Sequence, residues 1–317
     1  ECVEVGRKLF PWVNWQTAMP FLAMSDIESR YDLVLCNPPI GSRRGMNLAA
    51  IAALVLIIGP ANIVDKGDYA SATLNYCEIR DAEFGVKSHR TINMNHCEVS
   101  NCNPCGVYLY EASSINESRL AHCNISDNDS IYAVGMRIWY CDEGDTTIVV
   151  DSCTVNNNDR YGIWVNNASP WIKHSDIKYN GEDGIYVSTY YSSPIITYPR
   201  MIWSRIQENG ENGIYFDCVG GYVYATRISD NSAYGIYGYG EGCNALIKYS
   251  KIVDQMTGIR LLYAEPNLGD ATDATSGHNT IDNSSYNVYH TPFFAEILKA
   301  ENNYWASYPP NADKIKS

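Results

Sequence analysis

The feature of this chain that most limits its fold is a short motif that recurs along the sequence. Each copy begins with a small residue, then any residue, then Ile or Val. Two variable residues, often an Asn, and a polar stretch follow. The copy ends with a Gly, an apolar residue and a segment in which polar and apolar residues alternate. The copies begin at Cys77, Cys97, Cys123, Cys153, Ser175, Ser204, Thr226, Ser250 and, in a degenerate form, Asn279.

The spacing of the copies predicts a solenoid of stacked β-strands. Successive glycines of the motif, from Gly85 to Gly258, lie 21 to 29 residues apart. This distance is too short for a βαβ unit and suits one coil of a solenoid. Helical repeats are excluded, because their apolar residues would recur at three and four positions rather than with a period of two.

An asparagine follows the Ile or Val of the motif by three residues in several copies. We expect this residue to adopt a left-handed backbone and its side chain to bond to the amide of the next coil. The residues concerned are Asn128, Asn158, Asn180, Asn209 and Asn231.

The pattern from Cys77 to Asn283 resembles the parallel β-helix repeats of the pectate-lyase-like superfamily, which includes polysaccharide lyases, glycoside hydrolases, epimerases and non-enzymatic surface proteins. The resemblance implies an all-β, right-handed parallel β-helix of about nine or more coils and a secreted or cell-surface location. We divide the chain into an N-terminal extension for capping or assembly (1–45), the β-helix (46–300) and a C-terminal cap segment (301–317). The fold does not fix the chemistry.

Charge and composition narrow the class of partner. The formal net charge of −13 argues against nucleic acid and anionic membranes, since both favour a basic surface. The 25 Tyr and 7 Trp, against 6 Phe, suit exposed strands and sugar contacts. The apolar run 46–58 is too short to span a bilayer. It predicts the first buried strands or a capping helix, with an internal signal peptide as the alternative.

The positions two residues beyond the motif glycines predict an outward column of aromatic and cationic side chains. Such a strip can stack on sugar rings, which makes it the candidate glycan-binding site. Alternatively, Tyr and Trp simply favour exposed strands and stabilise neighbouring coils. The column consists of Tyr108, Arg137, Trp164, Tyr186, Tyr215, Tyr237 and Arg260.

A second outward column is expected on the strand that precedes the Ile or Val of the motif. Its residues could bind a metal or act as acid and base, or could simply form a solvated face. The column contains His96, His122, His174 and His278, with Tyr76, Trp203 and Tyr249 in the same register.

Catalytic signatures of the resembled enzymes are not clear in this sequence. Lyases of that superfamily use calcium-binding carboxylates with an Arg or Lys base, and the hydrolases use neighbouring aspartates. Weak catalytic candidates are Arg137, Asp142, Lys173 and His174. Asp142, Glu143 and Asp145 could hold calcium, the only cofactor considered, although an isolated acidic loop is more often just solvated.

The chain has 11 cysteines, so at least one is unpaired or pairs between chains. The motif cysteines are expected to be buried thiols, because stacked parallel side chains have the wrong relative direction for a disulfide. Cys102 and Cys105 suggest a turn disulfide or two thiols rather than zinc. Cys218 and Cys243 are the preferred disulfide pair.

The two ends of the chain suggest self-assembly. Tyr304 and Trp305 resemble part of the closing segment of secreted β-helix proteins, and Val13, Trp15 and Phe21 look like its missing remainder. An unsealed solenoid end favours addition of another chain, so head-to-tail fibres are predicted. Alternatively, residues 1–45 fold over their own domain, or the chain is one unit of a longer tandem protein.

Together these features predict an extracellular or cell-surface structural β-helix that binds a polysaccharide or cell-surface glycan, self-assembles head-to-tail into fibres, or does both. The alternative is a polysaccharide lyase or glycoside hydrolase that acts on an extracellular polysaccharide. Neither nucleic acid binding nor membrane insertion is expected.

Overall fold

The computed structural model describes residues 56–58, 63–65, 72–89, 91–110, 117–141, 148–189, 197–292, 298–305 and 312–316. The predicted N-terminal segment 1–45 lies outside this part of the chain. None of the described residues belongs to a helix long and apolar enough to cross a bilayer. A short 3-10 turn occupies Ala312–Lys314.

The described residues otherwise form short β-strands joined by turns and loops. The first half of the strands is β1 (Leu56–Ile58), β2 (Ile63–Asp65), β3 (Ala72–Asn75), β4 (Glu78–Arg80), β5 (Phe84–Ser88), β6 (Ile92–Asn95), β7 (Glu98–Ser100), β8 (Cys105–Tyr110), β9 (Ser118–Ala121), β10 (Asn124–Ser126), β11 (Val134–Trp139), β12 (Ile148–Asp151), β13 (Thr154–Asn156), β14 (Ile163–Asn166) and β15 (Trp171–Lys173). The second half is β16 (Asp176–Lys178), β17 (Ile185–Ser188), β18 (Arg200–Ile202), β19 (Arg205–Gln207), β20 (Ile214–Asp217), β21 (Tyr222–Tyr224), β22 (Arg227–Ser229), β23 (Tyr234–Tyr239), β24 (Leu246–Lys248), β25 (Lys251–Val253), β26 (Thr257–Leu262), β27 (Thr280–Asp282), β28 (Tyr286–Thr291), β29 (Tyr304–Trp305) and β30 (Ile315–Lys316).

These strands build three parallel sheets that enclose one core. The first sheet runs β1-β4-β7-β10-β13-β16-β19-β22-β25-β27-β29, the second runs β2-β5-β8-β11-β14-β17-β20-β23-β26-β28-β30, and the third joins β3 to β24 through every third strand. A typical coil passes through the third, first and second sheets in turn before the chain climbs to the next coil. The predicted all-β parallel β-helix is confirmed. Leu56–Ile58, from the apolar run, form β1 of the first sheet.

The core is the stack of inward-facing apolar residues that the motif specifies. Ile79, Val99 and Ile125 stack directly above one another in the first sheet and are fully buried. Complete burial of each such side chain stabilises the fold by roughly 1.5–3 kcal/mol. Because one coil cannot bury its own apolar face, this stabilisation exists only when neighbouring coils stack.

The motif glycine is required by close packing between coils. A Cβ atom added to Gly162 would lie 2.6 Å from the carbonyl oxygen of Gly184 and 2.7 Å from Nδ2 of Asn180. A side chain at this position would therefore collide with the backbone of the next coil, which explains why glycine recurs there.

The motif cysteines face inward as thiols, as predicted. Cys97, Cys123 and Cys153 are at most 2% exposed and none forms a disulfide. The thiol of Cys153 donates to the carbonyl oxygen of Leu120 at 3.4 Å. In the next coil Ser175 takes the same position, and its Oγ accepts a hydrogen bond from the backbone N–H of Cys153 at 3.1 Å.

The Cys218–Cys243 disulfide stays a prediction. Cys243 is 1% exposed and faces the core, where its sulfur approaches Gly238. Cys218 is half-buried at a left-handed corner with φ 55°. Burial raises the pKa of the Cys243 thiol to about 12, and Cys218 adds to this effect, so the two side chains lie near one another. Cys102 and Cys105 are both buried thiols, in agreement with one of the two expectations for that pair.

The asparagine ladder is confirmed, with one change to its backbone. Nδ2 of Asn158 donates to Oδ1 of Asn180 at 2.9 Å, and Nδ2 of Asn180 donates to Oδ1 of Asn209 at 2.9 Å. The left-handed residue is not the asparagine itself but its predecessor, as at Tyr179 with φ 56° and Glu208 with φ 55°. The left-handed backbone and the ladder hydrogen bonds, which the sequence suggested for one residue, therefore belong to two adjacent residues.

The predicted histidine column lies at a corner rather than on a strand. Its residues occupy a single left-handed position between the third and first sheets, with φ of 52° at His96 and 53° at His122. Their imidazoles stack with centroids 4.8 Å apart. A one-residue corner preserves the register of the flanking strands, which is why the sequence pattern looked continuous.

Candidate functional site

The predicted outward column is a continuous strip on the second sheet. Each member pairs in register with the next coil, as Trp164 does with Tyr186 and Tyr186 with Tyr215. The strip is longer than the sequence pattern suggested. It consists of Lys87, Tyr108, Arg137, Trp164, Tyr186, Tyr215, Tyr237, Arg260, Tyr289 and Lys316. We call this set the second-sheet strip.

The cations of the second-sheet strip lie over aromatic faces. The guanidinium of Arg137 is 4.1 Å from the ring centroid of Trp164 and 4.7 Å from that of Trp139. Near the other end, the guanidinium of Arg260 lies 3.9 Å from the centroid of Tyr289. These cation–π contacts hold flexible side chains flat against the sheet, so the strip is ordered in advance of any ligand.

The centre of the strip is aromatic. Tyr215 stacks on Tyr237 with centroids 4.7 Å apart, and Tyr186 lies 5.2 Å from Tyr215. The hydroxyl of Tyr186 donates to Oδ2 of Asp217 at 2.9 Å. Burial raises the pKa of Tyr186 and of Tyr215, so both keep their hydroxyl protons and remain hydrogen-bond donors.

A second cluster lies on the third sheet, around Asp151 at the end of β12. Lys173 Nζ lies 3.6 Å from Oδ2 of Asp151, and His174 Nδ1 lies 3.1 Å from its Oδ1. Arg119 also bonds to Oδ2. Burial opposes the ionisation of Asp151, but hydrogen bonds from His174 and Ser152 and the charges of Lys173 and Arg119 outweigh it and lower its pKa. The cluster holds an ionised carboxylate among cations.

Exposed tryptophans flank this cluster. Trp203 is 56% exposed and stacks on His174 with centroids 5.2 Å apart. Trp171 is 38% exposed, and the guanidinium of Arg200 lies 5.3 Å from its ring centroid. Aromatic surface and cations therefore meet on the third sheet as well as on the second.

The structure brings two of the weak catalytic candidates, Lys173 and His174, together at Asp151, but it places Arg137 on another face. Arg137 belongs to the second sheet, whereas Lys173 lies on the third and His174 at its corner. Residues close in sequence lie on different faces because each coil turns through three sheets. Asp142, Glu143 and Asp145 lie outside the described residues, so calcium binding there stays a prediction. Within the described ranges, no group of three or more His, Cys, Asp or Glu side chains could hold a metal.

Sequence reasoning missed the residues that assemble the third-sheet cluster. Arg119 and Asp151 pair across adjacent strands but are 32 positions apart in the chain. The position of these residues in the motif could have indicated the cluster. Asp151 and Lys173 both lie two residues before the small motif residue, so they are expected to stack in adjacent coils. The strip members Lys87 and Tyr289 were also missed. Tyr289 follows Asn287, which replaces the motif glycine in β28.

Comparison with known proteins agrees with this architecture. The family model described as a right handed beta helix region matches residues 119–285, slightly more than half of the chain. No curated protein matches the chain. Among solved structures, the Azotobacter vinelandii mannuronan C-5 epimerase AlgE6 A-module is similar, with a TM-score of 0.50 and 14% identity over 74% of this chain and 64% of that one.

A mutant of the periplasmic alginate epimerase AlgG is also similar, with a TM-score of 0.47 and 13% identity over 74% of this chain and 65% of that one. The present chain spans less than two thirds of the length of both structures. At such identities the likeness concerns the fold alone. With its three parallel sheets and its matched repeat region, the chain belongs to the right-handed β-helix family.

Proposed function

We propose that this chain binds a glycan along the second-sheet strip. The observation that carries the proposal is the unbroken outward row of aromatic and cationic side chains from Lys87 to Lys316, one per coil. Coils rise by about 4.8 Å. The row therefore forms a straight track on which successive rings of an extended polymer can stack.

The chemistry of the strip suits sugars. Tyr and Trp rings offer apolar faces to the C–H faces of pyranoses, and their hydroxyl and indole groups offer hydrogen bonds. The ring of Trp164 is held by Arg137 and its indole N–H donates to Ser188 at 3.2 Å. The AlgE6 A-module, a mannuronan C-5 epimerase, shares the fold, which supports a saccharide ligand. A secreted or cell-surface location is part of the same proposal.

Removal of single rings from the strip is expected to weaken glycan binding. Trp164→Ala and Tyr215→Ala should each raise the Kd by about tenfold, since a lost stacking partner removes roughly 1 kcal/mol or more. Retention on immobilised polysaccharides, followed by calorimetry with the glycan retained, measures the change. Trp203→Ala on the third-sheet side is the matched control and should leave the Kd unchanged. Equal losses in all three variants would contradict a site confined to the strip.

A second candidate function is cleavage of a polysaccharide at the third-sheet cluster. Asp151 holds His174 and Lys173 side by side, and Arg119 adds a cation able to neutralise a sugar carboxylate. This arrangement suits proton abstraction by a base beside cationic groups, as in a lyase. Incubation with uronic-acid and neutral polysaccharides, with and without calcium, tests it. New unsaturated or reducing ends that disappear in His174→Ala would establish cleavage, and their absence from every substrate would exclude it.

Head-to-tail assembly into fibres is part of the proposed function. β29 and β30 are the last strands of the first and second sheets in the described part of the chain. Tyr304 in β29 is 67% exposed, whereas Trp305 packs on the core. Val13, Trp15 and Phe21, the proposed complement of this end, lie outside the described residues. Light scattering should detect concentration-dependent fibres that disappear when residues 1–24 are removed, and unchanged assembly would refute the mechanism.

A further inference from the structure

A column of side chains lies beside the second-sheet strip, and within it a polar pair stands between two tyrosines. The residues that precede the motif glycines in four successive coils are Tyr161, Asp183, Asn212 and Tyr234. Tyr161 belongs to a cluster separate from the main core and stacks on Tyr186 of the strip at 4.8 Å. The column therefore lies on the same outward face as the strip, with Asp183 and Asn212 at its centre.

Each residue of this pair has one side-chain oxygen that accepts no hydrogen bond from the described residues. Oδ1 of Asp183 accepts from the backbone N–H of Asn212 at 3.1 Å and from its Nδ2 at 2.7 Å. Oδ1 of Asn212 is buried and has no partner among the described residues. Oδ2 of Asp183 also makes no hydrogen bond there. Asn212 is 5% exposed, and an unsatisfied acceptor at that depth is costly unless a ligand or water donates to it.

The surroundings of the pair favour an uncharged ligand. Asp217 accepts a hydrogen bond from Tyr186, and Glu182 is paired with Arg160. Asp183 itself adds a further acid, and burial raises its pKa to about 7 against the effect of the hydrogen bonds from Asn212. A uronate or sulfate placed here would meet the carboxyl groups of Asp183, Glu182 and Asp217, and in the described part of the chain the cation beside them, Arg160, is already paired with Glu182. Sugar hydroxyls, in contrast, can donate to both open acceptors.

We infer that Asp183 and Asn212 form the specificity-determining subsite of the strip and select a neutral, hydroxyl-rich sugar over a uronic acid. The inference rests on the proposed glycan binding and names its ligand class. A sugar ring stacked on Tyr186 and Tyr215 directs its equatorial hydroxyls toward Asp183 Oδ2 and Asn212 Oδ1. Asp183 and Asn212 are buried in the absence of ligand, so binding at this subsite requires the neighbouring rings to move outward.

The test compares glycan classes on the full chain. Calorimetry is run at pH 8, where Asp183 is ionised and its Oδ2 is an acceptor. The ligands are soluble neutral glucan and xylan oligosaccharides, oligogalacturonate, and a permethylated neutral oligosaccharide that lacks hydroxyl donors. We expect a neutral oligosaccharide to bind at least tenfold more tightly than oligogalacturonate, and permethylation to abolish binding. Asp183→Asn, which replaces the open acceptor oxygen with a donor, should weaken neutral-glycan binding by about tenfold.

The outcomes separate this inference from the proposal on which it rests. Tighter binding of oligogalacturonate, or binding of the permethylated ligand equal to that of the free sugar, overturns the neutral-sugar subsite and leaves glycan binding intact. Unchanged affinity in Asp183→Asn, with the folded state verified by thermal unfolding, overturns the role of Asp183. Absence of binding to every glycan refutes the proposed function itself.

Discussion

Asn180→Ala is expected to lower the free energy of unfolding by about 3–4 kcal/mol. Asn180 is 1% exposed, and its Oδ1 accepts hydrogen bonds from the backbone N–H and from Nδ2 of Asn158 at 3.2 and 2.9 Å. Its Nδ2 donates to Asn209 at 2.9 Å and to the carbonyl of Val155 at 3.3 Å. Alanine would leave several buried polar groups unpaired, each at about 1–3 kcal/mol, and would open a small cavity.

Urea unfolding followed by circular dichroism measures this loss. Asn124→Ala is the matched control, because Asn124 is half-buried on the outward face of β10 and its side-chain Nδ2 donates to Oγ of Ser126 at 3.3 Å, the one side-chain hydrogen bond that it makes to the described residues. It should change the stability by less than about 1 kcal/mol. If the two variants were equally stable, the asparagine ladder would not be a principal support of the coil stack.

Asp183→Asn is expected to stabilise the protein by about 4 kcal/mol at pH 8 and to have little effect near pH 4. Burial raises the pKa of Asp183 from 3.8 to about 7. Between these values the unfolded chain has released its proton while the folded chain retains it, so the stability of the native protein falls as the pH rises. Since each pKa unit corresponds to about 1.36 kcal/mol, the whole interval corresponds to about 4 kcal/mol.

The measurement is the difference in unfolding free energy between the native chain and Asp183→Asn at several values of pH from 4 to 8. The difference should grow through this window and level off above pH 7. Asp230→Asn, at an exposed left-handed turn position with φ 61°, is the matched variant for the loss of an exposed carboxylate. A constant difference across the window would mean that Asp183 is ionised in the folded protein throughout.

The fold was readable from the sequence because each coil repeats the same short-range requirements. Three positions of the motif each make one required contact with the neighbouring coil. They are the small residue, such as Cys97 or Ser175, the Ile or Val two positions later, and the glycine, such as Gly162. Because every coil needs these same contacts, the residue types recur periodically in the sequence even where overall sequence identity to other β-helices is low.

The candidate sites were only partly readable, because they depend on residues that break the repeat. Asp183 and Asn212 occupy the position before the motif glycine, where the residue type changes from coil to coil, as from Cys105 to Val134 to Tyr161. A search for one recurring residue type therefore passes over them. Asp151 and Arg119 lie on the neighbouring strands β12 and β9 and meet only through a side-chain contact between two coils. The histidine column was placed on a strand because alternation alone does not distinguish a one-residue left-handed corner, such as His174 with φ 50°, from continuing strand.

The glycan site is most directly located by hydroxyl-radical footprinting of the protein with and without its bound oligosaccharide. Oxidation should fall at Trp164, Tyr186, Tyr215 and Tyr237 and stay constant at Trp203. Trp203 is an internal reference because it is exposed on the other side of the solenoid. Protection confined to Trp171 and Trp203, with none on the second-sheet strip, would place the ligand on the third sheet and contradict the account.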